Sequence, residues 1–234
     1  MITLVTPTCD QPTGIALCER YMARQTFRDP LQWIVVDDGV VPATLTMGQR
    51  HIRRERGTDT GAQSLAKNLL TALPLVETEY LMLIEHDDWY HPTHLEILLK
   101  QLVAQPGIQL AGDPQQRYYN VAHRKWRVFK NHGSCLCQTG MHRELITRFQ
   151  WVIERCLQAD SYGIDGRFWE AVPRYHWNLL PTSTSLGIKG LPGRPGLGVG
   201  HRPGGTGWKA DPDCAQLQAW IGAEDAARYE ALRT

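Results

Sequence analysis

Apolar positions in the first hundred residues follow two different periods. Ile2–Thr6, Gln32–Val36 and Tyr80–Ile84 are short continuous runs, the pattern of strands buried on both faces. Between them Ile15, Cys18 and Met22 recur at helical spacing over 15–24, and Leu65, Leu69, Leu70 and Leu73 share one face of a helix over 61–73. Pro92 stands near the first turn of a further helix reaching about Val103, where its missing N–H costs nothing. Strand and helix alternate, which predicts an α/β fold with parallel strands covered by helices. The three strands end in polar loops: Thr6-Pro7-Thr8, Asp37-Asp38-Gly39 and Glu85-His86-Asp87-Asp88. Open α/β sheets bind ligands beyond the carboxyl ends of their strands, so these loops are expected to converge on one crevice.

The pattern changes after residue 107. Arg117–Ala122 and Lys125–Lys130 have the look of a hairpin, Ser134–Gln138 of another strand, and Met141–Leu157 of a helix. Residues 165–172 form a short helix or turn rich in aromatics. Nine glycines and three prolines crowd residues 187–207, and two helices, at about 213–221 and 223–232, close the chain. No repeat and no interdomain linker interrupts it, so residues 1–107 and 108–234 are taken as two halves of one domain.

The acidic loop carries the most chemistry. Glu85, Asp87 and Asp88 place like charges beside one another directly after a buried strand, an arrangement that a bound cation relieves. Oxygen donors of this kind suit Mg²⁺ or Mn²⁺, shared with a substrate phosphate. The competing assignment is a turn that caps the following helix. Asp37-Asp38-Gly39 is either plain turn chemistry or a ribose- or base-binding strand end.

Taken in order, Ile2–Thr8, Ile34-Val35-Val36-Asp37-Asp38-Gly39, Ala66-Lys67-Asn68 and Leu83-Ile84-Glu85-His86-Asp87-Asp88-Trp89-Tyr90 resemble the nucleotide-sugar half of a GT-A fold glycosyltransferase of family 2, the inverting type. The resemblance covers roughly residues 1–105. It implies a Rossmann-like, mostly parallel sheet flanked by helices, with a C-terminal acceptor-binding region. It implies a UDP-sugar donor and a Mn²⁺ or Mg²⁺ cofactor. By position, Thr6, Pro7 and Thr8 would line the nucleotide pocket and Asp38 would contact uracil or ribose. Lys67, where the family usually has arginine, would approach the nucleotide or its phosphates. Glu85-His86-Asp87 replaces the family's Asp-x-Asp, with Asp87 on the metal and Glu85 near the sugar or ribose. His201, just after the glycines, would complete the metal shell, and the glycine-rich segment would order over the donor. Asp165, an acid among aromatics, would be the base that takes the acceptor's hydroxyl proton; its competing role is the N-cap of the helix that follows.

Charge adds the acceptor question. The net of +1 conceals −5 over residues 1–116 and +6 over 117–234. Residues 117–210 alone hold 14 Lys and Arg against 5 Asp and Glu. Arg124, Lys125, Trp126, Arg127 and Lys130 interleave cations with rings, as a nucleic-acid surface does. Phage-type enzymes that glycosylate 5-hydroxymethylpyrimidines in DNA would need such a surface; a saccharide acceptor would not. A nucleotidyltransferase and a noncatalytic nucleic-acid binder are the rivals from other classes. No run approaches the length of a membrane span, and Met1–Val5 starts as a strand, not a signal peptide; a cytoplasmic location, that of the host if phage-encoded, is expected. The six cysteines form no CxxC pair, and Cys135-x-Cys137 is strand spacing rather than a chelate.

Overall fold

A computed structural model describes the chain except residues 130–132, 162, 194–198, 202, 205 and 234. In chain order its elements are β1 (Ile2–Thr8), α1 (Pro12–Ala23), β2 (Leu31–Asp37), β3 (Arg50–Arg53), α2 (Gly61–Ala72), β4 (Tyr80–Leu83), β5 (Trp89–Tyr90), α3 (His94–Leu102), β6 (Leu110–Gly112), β7 (Gln116–Asn120), β8 (Lys125–Phe129), β9 (Thr139–His142), α4 (Ile146–Gln158), α5 (Ile164–Ala171), β10 (Trp177–Leu179), β11 (Ser185–Lys189), β12 (Lys209–Ala210), α6 (Ala215–Ile221) and α7 (Ala223–Ala231).

The central sheet has the order β10-β6-β9-β4-β1-β2-β3. Strands β4, β1, β2 and β3 are parallel, and β9 runs against both β4 and β6. Alternation along the strands feeds two separate cores. Ile2 and Leu4 of β1 and Trp33 and Val35 of β2 face one core, which includes Tyr21, Leu95, Leu98 and Tyr229. Val5, Ile34 and Val36 face the other, with Leu69, Phe149, Ile153 and Phe168. A β1 of Ile, Val and Leu buried along its whole length is therefore the spine of a three-layer sandwich. Helix α2 is started by a reciprocal cap between Thr60 and Gln63, and α1 by Pro12 at its first turn.

A second sheet, β12-β8-β7-β11-β5, closes over the carboxyl end of β4. Its hairpin β7–β8 agrees with the sequence pattern. Other segments differ. Residues 136–138 form a 3-10 turn instead of part of a strand, the strand follows at β9, and the helix expected from Met141 begins at Ile146. The first residues of the glycine-rich run belong to β11, a strand buried throughout, paired in parallel with β7 and antiparallel to β5. The polar edge strand β3 and the three-residue β6 and β10 have no apolar run of sufficient length to announce them.

Two buried acids pin these parts together. Asp225 of α7 accepts from Arg24 of α1 at 2.7 Å and from the Trp89 indole at 2.8 Å. Asp113, beyond β6, accepts from Thr184 and Ser185, through both backbone and hydroxyl, and from the Gln138 amide. Asp113→Ala would strand these donors and should lower unfolding free energy by about 3 kcal/mol at pH 7, measured by urea denaturation. Burial lifts the Asp113 carboxyl to about 6 in the folded protein, against 3.8 for the ordinary group. Its contribution to stability is full below the unfolded value and fades as pH rises through 6. The gap between wild type and Asp113→Ala should accordingly widen between pH 7 and pH 5.

Candidate active site

A cavity of about 480 Å³ opens at the carboxyl ends of β1 and β4. The two strands pair in parallel from Ile2–Tyr80 to Val5–Leu83, which brings Pro7 and Thr8 next to Glu85, His86 and Asp87 at its wall. Helix α2 adds Ser64 and Asn68, the start of α5 adds Asp165, and β11 and the turn after the glycines add Lys189 and His201. The structure thus gathers Pro7, Thr8, Glu85, His86, Asp87, Asp165 and His201 around one space.

The acids form a graded cluster. The Lys189 ammonium, on a side chain only 8% exposed, lies 3.0 Å from Asp88 Oδ1 and 3.5 Å from Asp87 Oδ2. Asp88 Oδ1 also accepts the Ile188 backbone N–H at 2.9 Å, so β11 holds this carboxylate through main chain and side chain alike. Burial works against the Lys189 charge, but Asp87, Asp88 and Glu85 outweigh it and keep the ammonium protonated. Burial opposes ionisation of Asp87 as well, yet Lys189 and then His86 and His201 hold its carboxyl below the usual range. Glu85 is pushed well up, by burial and then by the charge of Asp88, and Asp88 itself is raised chiefly by burial.

Donor chemistry here fits a hard divalent ion. His201 Nε2 lies 3.8 Å from Asp87 Oδ2, and burial followed by the Lys189 charge drops the His201 pKa to about 4, leaving a neutral imidazole at pH 7. Among the described residues, His201 Nδ1 and His86 Nε2 are buried without a hydrogen-bond partner. His86 Nδ1 faces the Pro7 carbonyl at 3.0 Å and donates to it. Glu85, Asp88 and Cys137 bring ligand atoms within 4.8 Å of one another. Cys135 caps the 3-10 turn and Cys137 lies within it, with their sulfurs 3.2 Å apart. Burial pushes the Cys137 thiol well up, so it is a poor ligand beside two carboxylates. Carboxylate and imidazole donors match Mn²⁺ or Mg²⁺, and Lys189 is the one group foreign to a metal shell.

Asp165 occupies the first turn of α5. The N-cap is Gly163, whose φ of +88° favours glycine, so capping is not the role of this acid. Burial raises the Asp165 carboxyl, partly offset by the Gly166 N–H that it accepts at 2.9 Å. Its charge reaches Glu85 and adds to the upward shift there.

Thr6, Asp38 and Lys67 lie outside the cavity wall. The Thr6 hydroxyl accepts from the Trp33 indole at 3.0 Å. Asp38 sits one layer behind the wall, accepting from Arg54 and Ser64 at 2.5 Å and from Asn68 at 3.2 Å. Lys67 pairs with Asp59 on the surface. The basic hairpin turns toward the C-terminal elements. Arg124 donates to the Pro212 carbonyl, Trp126 packs on Trp220 with centroids 5.3 Å apart and under Lys209, and Arg127 donates to Thr206 and stacks on Phe129. Lys125 begins β8, and Lys130 lies outside the described residues. Lys189 and Ser64 are site residues that the motifs pass over, and in Ala66-Lys67-Asn68 it is Asn68, not Lys67, that reaches the cavity wall. Lys189 does end an alternating Ser-Leu-Gly-Ile-Lys segment, the one local signal of a strand there.

A mixed sheet flanked by helices, with an acidic loop at the ends of its parallel strands, defines a GT-A-type nucleotide-sugar enzyme fold. The glycosyl transferase family 2 model matches residues 3–151, and the chain belongs to that family. Among solved structures, the mannosyltransferase PcManGT from Pyrobaculum calidifontis, determined in complex with GDP-Man and Mn²⁺, is similar at 15% identity and a TM-score of 0.53, over 98% of this chain and 74% of that one. TarS from S. aureus is similar at 12% identity and a TM-score of 0.51, over 80% of this chain. This chain spans 36% of the TarS chain. No curated protein matches the sequence. Among the described residues no helix is long and apolar enough to cross a membrane.

Removal of the Asp87 carboxylate, the most acidic member of the cluster, should weaken Mn²⁺ binding by at least about tenfold, read by titration calorimetry of Asp87→Ala.

Proposed function

We propose that the chain transfers a sugar from a UDP-sugar to a hydroxyl acceptor with inversion at the anomeric carbon, assisted by a divalent cation. The observation that supports this most directly is that Asp165, Glu85 and Asp87 line one cavity large enough for such a donor. The acceptor hydroxyl gives its proton to the Asp165 carboxylate as its oxygen forms a bond to C1 of the sugar. The bond between C1 and the diphosphate oxygen breaks on the opposite face, and the electron pair leaves with UDP. Asp87 and His201 would hold the cation, which supplies electrostatic stabilisation of the departing diphosphate. Thr8, Ser64 and Asn68 would receive the nucleoside, with Asp38 fixing the last two from behind. Glu85 and His86 face the space left for the sugar and ribose. Burial around Asp165 raises its proton affinity toward that of a useful base without a second residue to orient it.

For the acceptor, the cationic excess of residues 117–210 supports a phosphate-bearing molecule, of which 5-hydroxymethylpyrimidine DNA is the specific form to test. Such binding should weaken steeply between 50 and 200 mM salt, by roughly tenfold or more, in a fluorescence-anisotropy titration of hydroxymethylated duplex. A salt-insensitive result would point to a saccharide acceptor instead.

A nucleotide-release screen separates the reaction classes. UDP-sugars, GDP-mannose and nucleoside triphosphates are each crossed with hydroxymethylated DNA, plain DNA and simple saccharides. UDP release with an acceptor bears the proposal out; pyrophosphate release from triphosphates would make the chain a nucleotidyltransferase, and failure to bind any nucleotide would make it a noncatalytic binder. Asp165→Asn should lower kcat by roughly 10²–10⁴-fold while leaving UDP binding unchanged. Full activity in that variant removes Asp165 as the base.

A further inference from the structure

Lys189 occupies a place that the motifs of this fold leave to a metal ion. It ends β11, a strand hydrogen-bonded on one side to β7 and on the other to β5. Its stem is covered by the turn that carries His201: a Cβ added at Gly200 would come within 2.7 Å of Lys189 Cγ. Its ammonium contacts Asp88 at 3.0 Å and Asp87 at 3.5 Å, stands 5.7 Å from the centre of the Tyr118 ring, and opens on the cavity. A side chain so enclosed has one position to offer, in contrast to a surface lysine that swings through solvent. A divalent ion arriving on Asp87 must share that carboxylate with an ammonium already in contact with it, and like charges in a space of low polarity repel strongly. A diphosphate entering with no ion meets a fixed positive charge instead of bare carboxylates.

We propose that Lys189 is the built-in counter-cation of the donor site: it neutralises Asp87 and Asp88 and faces the donor diphosphate, so that a divalent ion strengthens nucleotide binding without being required for it. This rests on the nucleotide-sugar reading of the cavity. The chemistry recognised is a nucleoside diphosphate, and the division of labour between ammonium and metal is set by this chain's own residue.

The test compares full-length wild type with Lys189→Met and Lys189→Gln, both neutral and both checked for folding by thermal melt. UDP affinity is measured by calorimetry in EDTA and in Mn²⁺, and Mn²⁺ affinity without nucleotide by electron paramagnetic resonance. Wild type should bind UDP in EDTA within about tenfold of its affinity in Mn²⁺, and a folded neutral variant should lose more than about tenfold of the EDTA affinity. The same variants should bind Mn²⁺ alone at least about tenfold more tightly than wild type, because the competing charge is gone. Two results overturn the proposal: unchanged Mn²⁺ affinity in the neutral variants, or a wild-type UDP affinity that collapses by more than about a hundredfold in EDTA. Absence of UDP binding in both conditions would refute the nucleotide reading of the cavity, while the Mn²⁺ titration would still decide whether Lys189 competes for the acidic cluster.

Discussion

The contact between Asp88 and the end of β11 is the constraint on which the rest of the structure depends. A parallel sheet delivers Glu85 and Asp87 to the wall of a cavity with Asp88 buried behind them, and carboxylates crowded there without a counter-charge repel one another and lose hydration. Asp88 resolves this by accepting from the Ile188 backbone and the Lys189 ammonium together. That pairing ties the second sheet to the carboxyl end of β4 and fixes the floor of the cavity. It also joins the two oppositely charged halves of the chain at one point. The −5 half supplies the acids, and the +6 half supplies the strand and the cation that let them be buried. The two halves are electrostatically one unit at this point, whatever their separate contributions elsewhere.

Much of this was visible in the residues alone. The runs at Ile2–Thr6, Gln32–Val36 and Tyr80–Ile84 became β1, β2 and β4 because each is rich in apolar and β-branched residues that do not alternate with charged ones, the pattern of strands buried on both faces. The prediction that the polar loops meet holds for Pro7-Thr8 and Glu85–Asp87, which follow neighbouring parallel strands. The Asp37-Asp38 turn departs from it for a physical reason. Asp37 is consumed by the Gly39 and Ala43 N–H groups, His51 and Arg53, and Asp38 by Arg54, Ser64 and Asn68. Those arginines lie on or just after β3, an edge strand whose polar sequence gives no apolar signal. Lys189 was hidden in the same way: a composition so rich in glycine suggests a loop, while the structure uses the start of that stretch as a buried strand in which Gly187 lies against the Tyr118 ring. The basic hairpin shows the converse error. Its cation–aromatic alternation is partly internal packing, with Trp126, Arg127 and Lys209 engaging one another's neighbours across β8 and β12.

Roles within the cavity follow from how each ionisable group is compensated. Asp87, facing Lys189 and two imidazoles, stays ionised and is the natural seat for a cation. For Glu85 burial and the Asp88 charge outweigh the Lys189 ammonium, and for Asp165 burial outweighs its backbone hydrogen bond, so both move toward protonation. His201, held neutral, keeps one ring-nitrogen lone pair for coordination. One scaffold thus separates an anionic, cation-ready end from a carboxylate with raised proton affinity, the separation that an inverting transfer requires. Lys189 is the residue at which this cluster departs from a simple metal site.

The most direct measurement of the central claim is a crystal structure with UDP and Mn²⁺, with the manganese located by its anomalous scattering. The account predicts an anomalous peak in contact with the Asp87 carboxylate, the diphosphate beside it in the cavity between β1 and β11, Lys189 still bound to Asp88, and Asp165 open to the acceptor side. Nucleotide or manganese bound away from this cavity, with Asp87 contacting neither, would contradict it.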